Sequence, residues 1–342
     1  MNNLILALLA AIVSYLVTPL VKLVAKYFNI IDEPKGNSRK IHKNPIPLLG
    51  GLAIYIAFVL VTMFRPGSLE KSEKGIILGA TIVLIGGILD DAKELRPWQK
   101  LIFQLLGTLC LLLNGVYIQN ITNPFGGSDS FFNIGTFAIP FTIIWIIGIT
   151  NAINLIDGLD GLAAGVALIS SISIFFIAII AERESVAALI AVLSGAIIGF
   201  LPYNFNPASI FMGDTGAQLL GFLLAAISIE GAIKSAAAFA IVVPILAIGL
   251  PIYDTLFAMI RRKINGKPIM QADRGHLHHR LLDLGLTQKQ AVLVMYLISA
   301  CLGAISILAM EISTPRSYFL LTVVVIIVVF LAWKYGFFRH KD

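Results

Sequence analysis

Long apolar stretches recur along the whole chain, and they constrain its fold more than any other feature. Crossing the hydrocarbon core of a bilayer takes roughly 20 apolar residues in a helix. Eleven apolar stretches, of which 75–90 and 214–229 are the shortest, cover residues 3–25, 48–64, 75–90, 100–118, 136–153, 161–181, 186–202, 214–229, 235–260, 288–310 and 316–334. The sequence therefore predicts an all-α fold: a polytopic integral membrane helix bundle of about 11 transmembrane helices.

The low charge content excludes several other classes of protein. Charged residues make up only 13% of the chain, whereas a soluble domain has about 25%. This excludes a soluble globule, a disordered chain and a nucleic-acid binder that works through surface charge alone. Cys110 and Cys301 both lie inside apolar stretches, so neither a disulfide framework nor a thiolate metal site is expected. Residues 1–342 show no repeat or linker and are expected to form a single domain.

The distribution of basic residues predicts the orientation of the bundle. With eleven spans, 19 of the 25 Lys and Arg residues fall on one side, which the positive-inside rule makes cytoplasmic. The N-terminus is then outside and the C-terminus cytoplasmic, and the first stretch is expected to be a retained helix. All five histidines, and every aspartate except Asp129, lie on the cytoplasmic side. Polar chemistry is thus predicted in the cytoplasmic loops near 27–47, 90–99, 151–161, 203–216 and 261–287.

Two adjacent acids, Asp90 and Asp91, close the third apolar stretch. Carboxylates at a helix C-terminus face the negative end of the helix dipole, and an acid costs about 2.5–3.5 kcal/mol at the bilayer centre. The alternative is a solvated helix end beside Lys93 and Arg96. The unfavourable placement favours a functional site in which a cation or a cationic substrate group holds the pair.

The segment NAINLIDGLDG (151–161) places Asn154, Asp157 and Asp160 between two apolar stretches, with no basic residue nearby. The three-residue spacing puts neighbouring side chains on one face if the segment is helical. The glycine after each aspartate favours a turn and lets a ligand approach the backbone closely. A connecting loop whose Asn and Asp side chains cap helices is the alternative. Such a density of polar groups beside membrane spans favours function.

A third cluster is the segment FMGDTG (211–216), which follows a turn at Pro207. Asp214 is a candidate ligand for Mg²⁺, which proteins usually hold with few carboxylates, several waters and substrate phosphates. Phe211 is a candidate for stacking on a nucleobase. The alternatives are that Asp214 and Thr215 only cap the next helix and that Phe211 anchors it at the membrane interface.

Three histidines, His276, His278 and His279, lie between Arg274 and Arg280. No cysteine or HExxH spacing indicates zinc. Protonated His and Arg donate charge-assisted hydrogen bonds to phosphate, so the segment is predicted to bind a polyanion. The alternative is a basic loop attracted to anionic lipid headgroups.

A second basic segment, RKIHKNPIP (39–47), contains Lys40, His42 and Lys43. Alone it indicates little more than positive-inside topology. With the other clusters, it completes a set of acidic and amide groups surrounded by two basic segments on one side of the membrane. That arrangement is typical of a site for a metal-bound, phosphate-rich substrate.

Five segments resemble those of the polyprenyl-phosphate N-acetylhexosamine-1-phosphate transferases (glycosyltransferase 4 family), in that family's order. They are RKIHKNPIPLLGG (39–51), Asp90-Asp91, NAINLIDGLDG (151–161), FMGDTG (211–216) and HLHHR (276–280). The resemblance implies transfer of GlcNAc-1-phosphate from UDP-GlcNAc to polyprenyl (undecaprenyl) phosphate, with release of UMP. The product would be polyprenyl-diphosphate-GlcNAc, formed in the first membrane step of cell-envelope polysaccharide or teichoic-acid synthesis. The HLHHR form is similar to that of the GlcNAc-using branch rather than the MurNAc-pentapeptide branch.

The resemblance also implies a location, a cofactor and a set of site residues. The chain would be a single transmembrane catalytic domain of the cytoplasmic (inner) membrane, with its active site on the cytoplasmic face. It would act on a UDP-N-acetylhexosamine and a polyprenyl phosphate and not on nucleic acid, and a homodimer is left open. Mg²⁺, or Mn²⁺ in its place, would be held by Asn154 and Asp214. The implied catalytic residues are Asp90, Asp91, Asp157, Asp160, His278 and His279, and the implied substrate-binding residues are Lys40, His42, Lys43, Asn151, Phe211, Arg274, His276 and Arg280.

Two mechanisms and three other functions remain open at the level of sequence, and one of the three, a scaffolding membrane protein, leaves the convergent acids unexplained. The lipid phosphate, with a second pKa near 6, can attack the sugar-proximal phosphorus directly, because phosphoryl transfer mainly needs positioning and charge neutralisation. The rival mechanism uses an aspartate nucleophile. The other two functions are the same transfer with UDP-MurNAc-pentapeptide and a cation-coupled secondary transporter. A transporter predicts ionisable residues near mid-span and internal repeats, and the sequence shows neither.

Overall fold

The computed structural model describes residues 2–34, 44–122, 131–233, 242–268, 275–312 and 314–335. Most of these residues are helical. The helices are α1 (Asn3–Tyr27), α2 (Gly50–Phe64), α3 (Lys71–Lys93), α4 (Pro97–Leu113), α5 (Ala138–Ile156), α6 (Leu162–Ile180), α7 (Glu184–Asn204), α8 (Gly213–Ile233), α9 (Val242–Ala247), α10 (Gly249–Ile264), α11 (Leu277–Asp283), α12 (Gln288–Glu311) and α13 (Thr314–Lys334). Two short antiparallel pairs join β1 (Ile31–Asp32) to β2 (Ile46–Pro47) and β3 (Asn120–Thr122) to β4 (Phe131–Asn133). The prediction of an all-α fold is confirmed.

Each predicted apolar stretch has a helical counterpart in the described chain. Among the residues that the structure describes, seven helical segments are long and apolar enough to cross a membrane, in α1, α3, α5, α6, α7, α12 and α13, while α2 and α4 are shorter apolar helices. These helices support a membrane protein, whereas the number of eleven spans stays a prediction. The stretch 235–260 does not form one continuous helix, because α9 ends at Ala247 and α10 begins at Gly249. Pro251 favours a new helix start there, since proline lacks a backbone N–H and suits a first helical turn.

The most deeply buried helices are α7 and α8. Helix α7 packs against α1, α2 and α6, and α8 packs against α2, α3 and α5. On α8, the side chains of Leu219, Phe222 and Leu223 are fully buried. The outer helices expose large apolar side chains such as Leu16, which is 63% exposed. Contiguous apolar surfaces of this kind are unfavourable in water and suit a lipid environment.

Small residues allow α2 and α3 to reach the beginning of α8. A Cβ atom added at Gly51 would lie 2.2 Å from the Cα of Gly216, and one added at Gly87 would lie 2.5 Å from the Cα of Thr215. Small residues permit this approach between helix backbones in membranes. The Gly51 N–H also donates to the carbonyl of Met212 at 3.1 Å. These contacts bring the segment FMGDTG to the C-terminal end of α3, where the two adjacent acids lie.

Candidate active site

The ends of several helices surround a cavity of about 740 Å³. Its walls come from the C-terminal ends of α3, α5 and α7, the N-terminal ends of α4 and α8, and the turn between α5 and α6. The predicted site residues that line it are Asp90, Asp91, Asn154, Asp157, Asp160, Phe211 and Asp214. Leu48 of the first segment (39–51) also lines it, so four of the five sequence segments meet at one cavity.

Asp90 forms an ion pair that the sequence did not reveal. Its carboxylate contacts Nζ of Lys100, at the start of α4, and accepts a hydrogen bond from the Leu95 N–H at 2.8 Å. The same ammonium lies 3.4 Å from Oδ1 of Asp214. Lys100 thus links the acids of α3 and α8 and places one positive charge at the cavity. The sequence alone indicates no role for Lys100 beyond its contribution to the membrane orientation.

Asp91 caps helix α8. Its Oδ1 accepts from the Asp214 N–H at 2.8 Å, and its Oδ2 accepts from the N–H and hydroxyl of Thr215 at 3.1 and 2.5 Å. Gly213 takes a φ of +70°, and a Cβ atom there would lie 2.3 Å from Asp91 Oδ2, so glycine is needed at this position. A carboxylate at a helix N-terminus satisfies free N–H groups and complements the dipole. Asp91 therefore fixes the backbone that carries Asp214.

Asn154, Asp157 and Asp214 have side-chain oxygens available to a ligand. Asn154 and Asp157 accept no hydrogen bond from the residues that the structure describes, and Asp214 has the Lys100 ammonium 3.4 Å from its Oδ1. Burial, reinforced by the negative charges of Asp214, Asp91 and Asp160, raises the pKa of Asp157 to about 8. Negative charges this close together favour a bound cation. Within the described residues, no three His, Cys, Asp or Glu side chains form a metal site by themselves. A metal ion here would need amide, water or substrate oxygens as well.

The raised pKa of Asp157 predicts a pH-dependent stability in protein freed of divalent cations. With a pKa of about 8 in the folded state and an ordinary value of 3.8, the folded state binds more protons between these values. Stability should therefore fall as the pH rises from 6 to 8 and level off above 8. Melting temperatures measured in EDTA at pH 6, 7, 8 and 9 test this, and Asp157→Asn should flatten the slope. An unchanged slope in Asp157→Asn would contradict the assignment.

Asp160 lies at the cavity but is engaged by protein groups. Its Oδ2 accepts from Asn206 Nδ2 at 2.9 Å and from the Ala208 N–H at 3.0 Å. Asn206 also donates to Oε1 of Gln288, at the start of α12, at 2.8 Å. Asp160 therefore joins the α5–α6 turn to the segment before α8, which is a structural task that the sequence left open.

Asn151 lies away from the cavity, in the bundle interior. Its Nδ2 donates to Oε1 of Gln104 at 2.9 Å and to the Ile147 carbonyl at 2.8 Å. Gln104 in turn donates to Oε1 of Gln218 at 3.1 Å. This network connects α5, α4 and α8, since buried amides need hydrogen-bond partners. These contacts give Asn151 a packing role, and its predicted contact with substrate stays a prediction.

The histidine segment packs against the α5–α6 turn. His278 is buried, and a Cβ atom added at Gly158 would lie 2.4 Å from its Nε2. Burial and the neighbouring His279 and His276 lower the pKa of His278 to about 3. Its imidazole is therefore neutral at pH 7, and it does not supply the positive charge that the sequence suggested for phosphate binding. His279 is only partly buried.

The other predicted residues of this segment are held by protein contacts. His276 Nδ1 lies 2.8 Å from Oδ2 of Asp254, and the buried Arg280 donates through Nε to the Gly275 carbonyl at 3.0 Å. Asp254 stands alone in an apolar stretch, and the sequence reasoning missed it. Four predicted substrate-binding residues, Lys40, His42, Lys43 and Arg274, lie outside the described residues.

Comparison with known proteins gives a family and a set of relatives that match most of the chain. Residues 74–232 match the glycosyl transferase family 4. A probable undecaprenyl-phosphate N-acetylglucosaminyl 1-phosphate transferase of Bacillus subtilis (strain 168) is 37% identical over 100% of this chain and 94% of its own length. A decaprenyl-phosphate N-acetylglucosaminephosphotransferase of Mycobacterium leprae is 32% identical over 86% of this chain and 80% of its own. An undecaprenyl-phosphate alpha-N-acetylglucosaminyl 1-phosphate transferase of Escherichia coli K12 is 28% identical, with 84% and 78% covered.

Proposed function

The chain belongs to glycosyl transferase family 4, and on this premise we propose that it transfers GlcNAc-1-phosphate from UDP-GlcNAc to a polyprenyl phosphate and releases UMP. The convergence of the five family-like segments on one cavity is the observation that carries the proposal. Four segments line the cavity, the first of them through Leu48, and the histidine segment packs on Gly158. Gly51 of the first segment also bonds to Met212. The relatives from Bacillus, Mycobacterium and Escherichia are all named for GlcNAc phosphate transfer to a polyprenyl phosphate. Their names favour GlcNAc over the MurNAc-pentapeptide alternative.

The cavity's place at the helix ends suits a reaction between a lipid and a water-soluble nucleotide sugar. The polyprenyl tail belongs in the bilayer, whereas UDP-GlcNAc approaches from water, so the reacting phosphates must meet near the interface. The 19-to-6 distribution of basic residues supports a cytoplasmic side for this end of the bundle. We infer a multi-pass inner-membrane protein of eleven spans with an outside N-terminus and a cytoplasmic C-terminus.

The donor set of the cavity suits a hard divalent cation, and we place Mg²⁺ at Asn154 and Asp214, with Mn²⁺ as a substitute. Both side chains line the cavity; Asn154 accepts no hydrogen bond from the described residues, and Asp214 has one oxygen 3.4 Å from Lys100 and the other open to a ligand. Oxygen donors of this kind are those that Mg²⁺ prefers, with substrate phosphates and water completing its coordination. When bound, the cation would neutralise the charge of the diphosphate during transfer. The carboxylate of Asp157 adds negative charge in the same cavity.

The contacts of the α3 acids support direct attack by the lipid phosphate. An aspartate nucleophile needs a free oxygen lone pair and an open approach. Asp91 already accepts three hydrogen bonds from α8, and Asp90 is paired with Lys100 and bonded to the Leu95 N–H. Both acids are therefore engaged in positioning. A lipid phosphate that is largely dianionic needs no general base.

The remaining cavity residues would position the two substrates. Lys100 brings an ammonium to within 3.4 Å of Asp214, where it can also pair with a phosphate oxygen. Phe211 contributes an aromatic face to the cavity wall, which suits stacking on the uracil. Asp91 and Asp160 hold the backbone segments around them. The chain thus supplies positioning and charge, which are the main needs of phosphoryl transfer.

Release of UMP by the purified protein tests the proposal. UMP is expected only when UDP-GlcNAc, undecaprenyl phosphate and Mg²⁺ are all present, and EDTA should stop its release. UDP-GalNAc and UDP-MurNAc-pentapeptide serve as competing donors, and a clear preference for either would overturn the assignment of GlcNAc. A labelled protein adduct formed without the lipid acceptor would overturn direct attack. If no donor gives UMP release, the proposed transferase function is wrong and the transporter alternative is favoured.

A further inference from the structure

Asp254 on α10 and His276 before α11 form a buried pair that the proposed mechanism does not use. Asp254 is 6% exposed and His276 is 5% exposed. Oδ2 of Asp254 lies 2.8 Å from His276 Nδ1, and its Oδ1 accepts the Leu277 N–H at 2.8 Å. Both carboxylate oxygens are therefore engaged by residues at the beginning of α11. An acid in an apolar stretch is costly unless it has such partners.

The pair is connected to the cavity through stacked imidazoles. The His276 ring lies nearly parallel to that of His278, with centroids 5.9 Å apart and an interplanar angle of 13°. His278 Nε2 faces Gly158, where an added Cβ atom would lie only 2.4 Å away. Gly158 directly follows Asp157 in the cavity wall. A rotation of His276 would thus be transmitted through His278 to the backbone that carries Asp157.

Other contacts fix the position of this segment but not the orientation of the His276 ring. Arg280 Nε donates to the Gly275 carbonyl at 3.0 Å. Gly275 packs closely on the Arg261 guanidinium, since a Cβ atom at Gly275 would lie 2.2 Å from its Cζ. Neither contact touches the imidazole. The described partner that determines which ring nitrogen of His276 carries the proton is Asp254.

We propose that Asp254 is a positioning residue for the transfer reaction, which holds His276 with its proton on Nδ1 and so keeps His278 packed against Gly158. The inference rests on the proposed function, because it assigns Asp254 a task in that same site. A carboxylate that accepts from one ring nitrogen orients the imidazole and fixes its tautomer, as in metal sites and catalytic triads. Asp254 acts on the substrates only through the histidine segment.

Asp254→Asn is the sharpest test because it preserves shape and changes the donor pattern. If the amide oxygen keeps the Leu277 N–H, the amide NH₂ faces His276 Nδ1 and forces the proton to Nε2. The rate of UMP release should fall about 10- to 100-fold, the range typical for loss of a histidine's carboxylate partner. The KM for undecaprenyl phosphate should change little. Asp283→Asn, which removes an exposed acid from α11, is the matched control and should retain the wild-type rate.

A readout independent of activity is the tautomer of His276. In ¹⁵N-histidine spectra of the detergent-solubilised protein, assigned with His276→Gln, wild type should show a proton on Nδ1 and Asp254→Asn a proton on Nε2. A wild-type His276 without a proton on Nδ1 would overturn the inference, as would full activity in Asp254→Asn. Melting temperatures show whether Asp254→Asn is folded, and Asp254→Glu replaces it if it is not. Wild-type activity in Asp254→Glu supports the need for a carboxylate at this position. Full activity in an Asp254→Glu protein whose His276 lacks the Nδ1 proton opposes the inference. If wild type releases no UMP, the proposed function fails, while the spectra still decide whether the pair exists.

Discussion

Replacing Asp214 by Asn should lower the rate of UMP release by about 1000-fold or more while leaving the protein folded. The change removes a negative charge from the side chain that we place on the metal ion and 3.4 Å from Lys100. Electrostatic stabilisation of the transferring phosphate is usually the largest contribution to such a reaction, which is why the expected loss is large. The rate is measured with UDP-GlcNAc, undecaprenyl phosphate and saturating Mg²⁺.

Stability should hardly change in Asp214→Asn, because the fold depends on the backbone of this residue, while its partly exposed carboxylate contributes only a 3.4 Å ion pair with Lys100. The backbone N–H donates to Asp91 at 2.8 Å, and the substitution leaves that bond intact. The side chain is 31% exposed, so the amide remains solvated. Glu94→Gln, which neutralises an exposed acid on the same cavity, is the matched control.

Metal binding gives a second measure of the Asp214 assignment. Mn²⁺ binding, followed by electron paramagnetic resonance in the absence of substrates, should weaken at least about tenfold in Asp214→Asn and stay unchanged in Glu94→Gln. If Asp214→Asn releases UMP at a rate within threefold of wild type (about 0.7 kcal/mol), the metal assignment is wrong. A loss of activity with unchanged Mn²⁺ affinity would place Asp214 on the substrate instead of the metal.

The apolar pattern predicted the helices well. Whether a segment can be buried in lipid depends on its length and hydropathy, and both can be read from a single sequence. The stretch 288–310, for example, is helix Gln288–Glu311. The break at Ile248 was not predicted, although Gly249 and Pro251 carry the local signal for it. Apolar runs alone do not distinguish a continuous span from two shorter helices, because both bury the same kind of surface.

The candidate site was predicted in outline, but the division of labour among its residues was not. Asp90 and Asp91 are identical and adjacent in the sequence, yet one pairs with Lys100 and the other caps α8. Asp91 and Thr215 are 124 positions apart, so tertiary packing and not local sequence determines their contact. Asp254 could have been found, since a lone acid within an apolar stretch indicates function by default.

Replacing Asp91 by Ala should reduce both activity and stability, in contrast to Asp214→Asn. The substitution leaves two backbone N–H groups at the start of α8 and the Thr215 hydroxyl without their acceptor. Loss of a helix cap with buried unsatisfied donors costs about 2 kcal/mol or more. The first turn of α8 then loses its anchor, and UMP release should fall about 100-fold or more because Asp214 is displaced. Melting temperature and UMP release are measured on the same preparation.

The cap on α8 also predicts how a series of substitutions should rank. Asp91→Asn keeps one acceptor oxygen and should lie between wild type and Asp91→Ala in both melting temperature and rate. Thr215→Val removes the hydroxyl that donates to Asp91 Oδ2 at 2.5 Å, so its effect should be non-additive with that of Asp91→Ala. If Asp91→Ala melts like wild type and loses only activity, Asp91 acts on the substrate directly and the capping role is wrong. If melting temperature and rate both fall in the order wild type, Asp91→Asn, Asp91→Ala, the adjacent acids of α3 have different roles. Asp91 then holds the backbone of the site in place, and Asp90 holds the Lys100 ammonium beside it.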